Sequence, residues 1–69
     1  EHGDMEDNFQ RIAAYWNAHL GLVDFIKTED VAAMMALLKI ARIHSNPTHM
    51  DNWVDACGYL ACGGEVASK

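Results

Sequence analysis

The spacing of apolar and polar residues divides the chain into three helical stretches. In the first, Met5, Phe9, Ile12, Ala13, Trp16 and Leu20 recur at intervals of three and four, which is one face of a helix over about residues 5–20. Glu6, Gln10 and Asn17 border that stripe and Arg11 lies opposite. The opening EHGD reads as a lead-in turn. Asp4 is placed to cap the helix with Asp7 three residues on, as is Asp7 with Gln10. Gly21 stops the helix, and His19 in its last turn suits the negative pole. The stretch LVDFIK that follows has no partner to pair with as a strand. It reads as a loop from which Val23, Phe25 or Ile26 plugs the core.

The second stretch organises the rest. In DVAAMMALLKIARI (Asp30 to Ile43) eleven of fourteen residues are apolar. Its two bases, Lys39 and Arg42, fall within about 60° of each other on a helical wheel, leaving apolar surface nearly all round. Thr28 is its expected cap, with Glu29 and Asp30 complementing the dipole, and Pro47 breaks it after a helix of about residues 29–44. Two neighbours cannot cover such a helix, so Met34, Leu37, Leu38, Ile40 and Ala41 are expected at an interface with a second chain.

Thr48, with Asp51 in capping-box position, opens a third helix over about residues 49–62. Met50, Trp53, Val54, Cys57, Leu60 and Ala61 share its expected buried face, while Asp51, Asp55, Gly58 and Cys62 flank it. Gly63–Gly64 is its expected stop and residues 65–69 its fraying tail. The fold class that follows is all-α. One domain over residues 1–69 holds three antiparallel helices, joined by short connections and completed by oligomerisation.

Composition sharpens this picture. In 69 residues only about 60% of the unfolded surface can be buried, yet 51% of the residues are hydrophobic. Burying the surplus between chains as a homo-oligomer, a dimer or higher, resolves the mismatch. The net charge of −5 makes nucleic acid and anionic membrane surfaces unfavourable partners. No apolar run of about 18 residues spans a membrane. Cys57 and Cys62 sit about 140° apart on a helix and cannot bridge within it. Two free thiols fit a reducing cytoplasm. Because the chain starts at Glu1 rather than Met, it reads as trimmed, processed or a fragment, with sequence upstream expected to be missing.

Few residues carry chemistry. Asp51 and Asp55, four apart on one face, could hold Mg²⁺; equally, Asp51 is a capping acid and Asp55 a solvated or hydrogen-bonded one. Trp53 lies between them, and Gly58 one turn later leaves room for close approach. Lys39 and Arg42 could meet phosphate or pair with Asp51, Asp55 or acids of the first helix, in which case neither side is free for a ligand. His44, His49 and Asp51 around the Pro47 turn offer transition-metal ligands at an unspecific spacing. Tyr15 and Tyr59 lie off the apolar stripes, as interface rims or as stacking surfaces for a base. The candidate ligand residues are therefore Lys39, Arg42, Trp53 and Tyr59. Neither a nucleophilic triad nor a Gly-rich phosphate loop is present. A helix-turn-helix is disfavoured because Asp51 and Asp55 stand where a DNA reader shows Arg or Asn.

Three blocks in order, NFQRIAAYW (Asn8 to Trp16), DVAAMMALLKIAR (Asp30 to Arg42) and DNWVDACGYLACGGE (Asp51 to Glu65), resemble a family of small phage and prophage proteins of unknown function. Members of that family carry a further helical segment that leads into a Tyr-Gly or His-Gly step, and His2-Gly3 resembles its end. The resemblance implies a phage or prophage source and a setting in the host cytoplasm, and no reaction or cofactor. The function expected is self-association with binding of a host protein or small ligand. The alternative is a Mg²⁺-dependent nucleoside triphosphate pyrophosphatase of the all-α MazG kind, with Asp51 and Asp55 on metal and Lys39 and Arg42 on phosphates. That family's Glu-x-x-Glu and Glu-x-x-Asp pairs are absent here. A third possibility is a protein that sequesters a nucleotide without cleaving it.

Overall fold

Three helices make up the computed structural model, which describes residues 2–69, with side chains from Asp4 onward. They are α1 (His2–Leu20), α2 (Thr28–Ser45) and α3 (Met50–Ala67). The fold is all-α, and no strand occurs among the described residues. Helix α1 ends at Gly21, whose φ of 72° lies in the left-handed region that glycine enters without steric cost. There the Gly21 N–H donates to Ala18 O and the Leu22 N–H to Asn17 O, satisfying final carbonyls of the helix.

The helix starts differ from expectation. Residues 2 and 3 are already helical, so Asp4 sits in the first turn rather than at the cap; Glu1, the rest of the expected lead-in turn, lies outside the described residues. The cap of α2 is Lys27, not Thr28, and the Lys27 N–H donates to Asp30 Oδ2 at 2.9 Å. A carboxylate three residues inside the helix thus holds the chain end that the Thr28 hydroxyl was expected to hold. At α3 the cap is His49 rather than Thr48, and no side chain caps the first turn. The Thr48 hydroxyl donates instead to Asn46 Oδ1.

Helices α2 and α3 form an antiparallel hairpin: Ala32 near the start of α2 meets Gly63 near the end of α3, and Lys39 meets Asp55. A Cβ at position 63 would lie 2.8 Å from the Ala32 Cβ. The helix axes come this close because the facing residues are small. Ala32 and Ala36 of α2 and Ala56, Cys62 and Gly63 of α3 are all buried. Hence Gly63–Gly64 is not a stop. Gly63 is part of the packing, and α3 runs on to Ala67. The last residue is tied down as well, by an ion pair from Lys69 Nζ to Glu6 Oε1 at 2.6 Å.

Helix α1 lies against one end of this hairpin. Phe9 and Ala13 bury themselves on Val31, Ala32 and Cys62, with Ile12, Trp16, Met35, Tyr59 and Val66 packed around them. Of the loop residues Ile26 alone reaches this core; Val23 and Phe25 stay exposed. Asn17, 7% exposed, holds Ile26 in place. Its Nδ2 donates to Ile26 O at 3.0 Å and its Oδ1 accepts from the Ile26 N–H at 2.9 Å. The far end of the hairpin has no such cover, and the molecule is drawn out to 39 × 25 × 17 Å.

The third helix is turned about half a revolution from its expected setting. Met50, Trp53, Val54, Cys57, Leu60 and Ala61, the expected buried face, all point outward. Asn52, Ala56, Cys62 and Gly63 point inward instead, with Tyr59 half-buried behind them. Its bulky face would hold α2 at arm's length, whereas the face of small residues allows the backbones to approach. On α2, too, only Val31, Ala32 and Ala36 are buried. Met34, Leu37, Leu38, Ile40 and Ala41 are exposed.

Candidate ligand groove and interaction faces

The candidate ligand residues divide into separate places. Lys39 Nζ lies 3.0 Å from Asp55 Oδ2 across the hairpin. The Lys39 side chain keeps little solvent exposure, so this carboxylate is the nearest compensation for its charge. Asp51 Oδ2 lies instead 3.9 Å from His49 Nε2. The two acids are thus directed to different partners although they share a helix. Among the described residues no three His, Cys, Asp or Glu side chains gather as a metal site requires, so His44, His49 and Asp51 form no such cluster. Tyr59 packs on Phe9, with ring centroids 5.8 Å apart, and belongs to the core around α1. Trp53 Nε1 donates to Pro47 O at 3.0 Å, pinning the indole beside the α2–α3 turn while half of it stays exposed. Apart from its chain neighbours and the helix's own backbone, nothing lies within 4 Å of a Cβ built at Gly58, so the space expected there is open.

Arg42 takes a different course from Lys39. It borders a groove of about 510 Å³ between α2 and α3, with Leu38, Ala41, Ser45, His49 and Asn52 among the other walls. Val31, Met35, Leu38, Arg42 and Ser45 follow one stripe of α2, at steps of three and four residues. Helix α1 covers the first two and stops; the groove is the uncovered remainder. Asn52, on the α3 wall, is 6% exposed. Neither Asn17 nor Asn52 stands out in the sequence as a functional residue. Both occupy core positions of their helices, and an Asn at a core position needs a partner. For Asn17, which borders the apolar stripe of its helix, that is a signal the sequence carries; for Asn52 it is not, because the pattern of α3 places Asn52 on the outward face.

The two cysteines are both free, Cys57 exposed and Cys62 buried. Burial pushes the Cys62 thiol above its ordinary value; the Glu65 and Glu6 carboxylates add to the rise and Lys69 opposes it. Cys62 is a small apolar packing residue rather than a nucleophile.

Fold and groove define a small all-α protein, a helical hairpin closed at one end by a third helix and bare at the other. Residues 1–67 match the family described as a domain of unknown function, DUF6378, and the chain belongs to that family. It is 49% identical over 59 residues to the Gene 55 protein of Mycobacterium phage L5, covering 86% of this chain and 37% of the relative. To the Gene 55 protein of Mycobacterium phage D29 it is 36% identical over 61 residues, 88% of this chain and 39% of the relative. The chain therefore spans about two-fifths of the length of the relatives it matches. No solved structure matches it. The family is thus one of phage proteins of unknown function, and among the described residues no helix is long and apolar enough to cross a membrane.

Proposed function

We propose that this phage-type protein acts by self-association, in the host cytoplasm, through the outward faces of α2 and α3. The observation that carries the reading is the surface those helices leave bare. Met34, Leu37, Leu38, Ile40, Met50, Trp53, Val54 and Leu60 each keep 45–64% of their surface exposed. At roughly 100 Å² apiece, this comes to about 800 Å² of mostly apolar area, the share one partner contributes to an interface of standard size. A second copy is the occupant whose chemistry fits. Its matching stripes are equally apolar and carry no acid to set against another acid, although the chain as a whole is at −5.

Light scattering coupled to size-exclusion chromatography tests this over a dilution series. The expected mass is a multiple of 7.7 kDa at micromolar concentration. Leu37→Glu and Leu60→Glu, both at exposed positions, should each lower that mass while leaving helicity by circular dichroism intact. A monomer at every micromolar concentration, or glutamate variants with unchanged mass, would overturn the reading.

A further inference from the structure

The groove beside Arg42 combines three features that the packing of the hairpin does not use. First, Arg42 forms no ion pair with any described residue, whereas Lys39, one turn earlier, is paired with Asp55. Second, the groove runs up to the start of α3, an 18-residue helix with no side-chain cap. In its first turn the Asn52 N–H donates to His49 O at 3.2 Å, while the N–H groups of Met50 and Asp51, at the positive end of the dipole, have no side-chain cap. Third, Asn52 is nine-tenths buried and its side chain makes no hydrogen bond to another described residue. No fully buried side-chain N or O lacks a partner, so the Asn52 amide must reach solvent, and the solvent-filled space that Asn52 borders is this groove.

We propose that this groove binds a phosphorylated small molecule. Its phosphoryl group would sit between the Arg42 guanidinium, the Asn52 side-chain amide, the His49 ring and the backbone N–H groups of Met50 and Asp51. Arginine presents planar paired donors that match two phosphoryl oxygens, and an uncapped helix start adds backbone donors with a favourable dipole. Leu38 and Ala41 supply an apolar wall for the organic part, and the groove volume is that of a small-molecule site. Asp51, the acid of that turn, directs its carboxylate at His49 Nε2 from an exposed position and does not border the groove. The proposal does not rest on self-association: Arg42, His49 and Asn52 are not among the residues assigned to that surface, and Leu38 is the one groove residue the two share.

Titration of the isotopically labelled 69-residue chain followed by amide NMR decides it, with inorganic phosphate, a nucleoside monophosphate and a sugar phosphate as separate probes at constant ionic strength. The expected result is saturable shifts at the amides of Met50, Asp51 and Asn52 and at Arg42 Nε, with an organic phosphate binding more tightly than phosphate alone. The nucleoside and sugar arms identify which organic part the Leu38–Ala41 wall accepts. Arg42→Gln, at an exposed position and so compatible with the fold, should weaken binding by about ten- to hundredfold, and Asn52→Asp should abolish it by placing a carboxylate among the ligand oxygens. Three results would overturn the proposal: no saturable shift with any probe, shifts reproduced by chloride at equal ionic strength, or unchanged affinity in Arg42→Gln.

Discussion

The close approach of α2 and α3 makes one helical glycine, Gly63, costly to replace and two others, Gly58 and Gly64, replaceable. Helical Gly→Ala ordinarily stabilises by about 0.5–1 kcal/mol, because alanine loses less backbone entropy on folding. At Gly58 and Gly64 nothing lies within 4 Å of the added methyl, so that gain should appear in full. At Gly63 the added carbon would stand 2.8 Å from the Ala32 Cβ, about 1 Å inside ordinary carbon–carbon contact. Neither methyl can rotate away, since each is fixed to a helix backbone. The hairpin itself must open, and overpacking of that kind costs about 1–3 kcal/mol. The difference between Gly63→Ala and Gly58→Ala cancels the propensity gain and isolates the clash, so Gly63→Ala should be the less stable by about 1–3 kcal/mol. Urea titrations followed by circular dichroism, at one fixed protein concentration because association shifts apparent stability, measure that difference directly. In a thermal melt it corresponds to roughly 4–24 °C for a domain of this size. If Gly63→Ala were as stable as Gly58→Ala, the hairpin would not be as tight as described, and the explanation given for the inverted setting of α3 would fail with it.

Three further outcomes follow from the core. Asn17→Ala removes both hydrogen bonds to the Ile26 backbone and leaves that N–H and C=O to find water, at a cost of about 1–3 kcal/mol; hydrogen exchange at the Ile26 amide should accelerate more than at Val31, and unchanged exchange would show that the loop is held some other way. Cys62, whose thiol is raised chiefly by burial and then by Glu65 and Glu6 against the opposing Lys69, makes folding sensitive to alkali. The folded value lies above the unfolded one, so its contribution is fully present below the ordinary thiol pKa and is lost as pH rises from there through the folded value. Stability should therefore fall more steeply at alkaline pH in the parent chain than in Cys62→Ala. A thiol reagent should label exposed Cys57 well before Cys62 at neutral pH, and equal labelling rates would contradict the burial.

What the sequence disclosed followed physical lines. Helix α1 was legible because it meets the hairpin with its large apolar residues, and Phe9 and Ala13 are where a three-and-four spacing puts them. The stop at Gly21 was legible for the same reason that Gly63–Gly64 misled. A glycine signals either a backbone that must turn left-handed or one that must come close to another, and only the three-dimensional neighbour tells which. Arg42 and Lys39 stood out as lone charges on an apolar helix, but nothing in their spacing says that one finds Asp55 and the other an open groove. That distinction depends on where α1 stops.

The inverted setting of α3 has a consequence for the assembly. An amphipathic helix packed only for its own chain would turn Trp53, Val54 and Leu60 inward and leave Asn52 and Gly63 to water. Here the reverse arrangement places the small residues where two backbones touch and leaves the bulky ones bare, on α2 and α3 alike. The isolated hairpin leaves several large side chains only about half-buried, forgoing about 1 kcal/mol at each, roughly half the value of full burial. In a domain whose size already limits its core, that sacrifice is intelligible when the same side chains are buried against a second copy. Under the proposed self-association a second copy would supply the burial that the single chain lacks, and folding and assembly should then be coupled. The glutamate variants at Leu37 and Leu60 should therefore lose thermal stability in parallel with mass, and their melting temperatures should stop rising with protein concentration while that of the parent continues to rise.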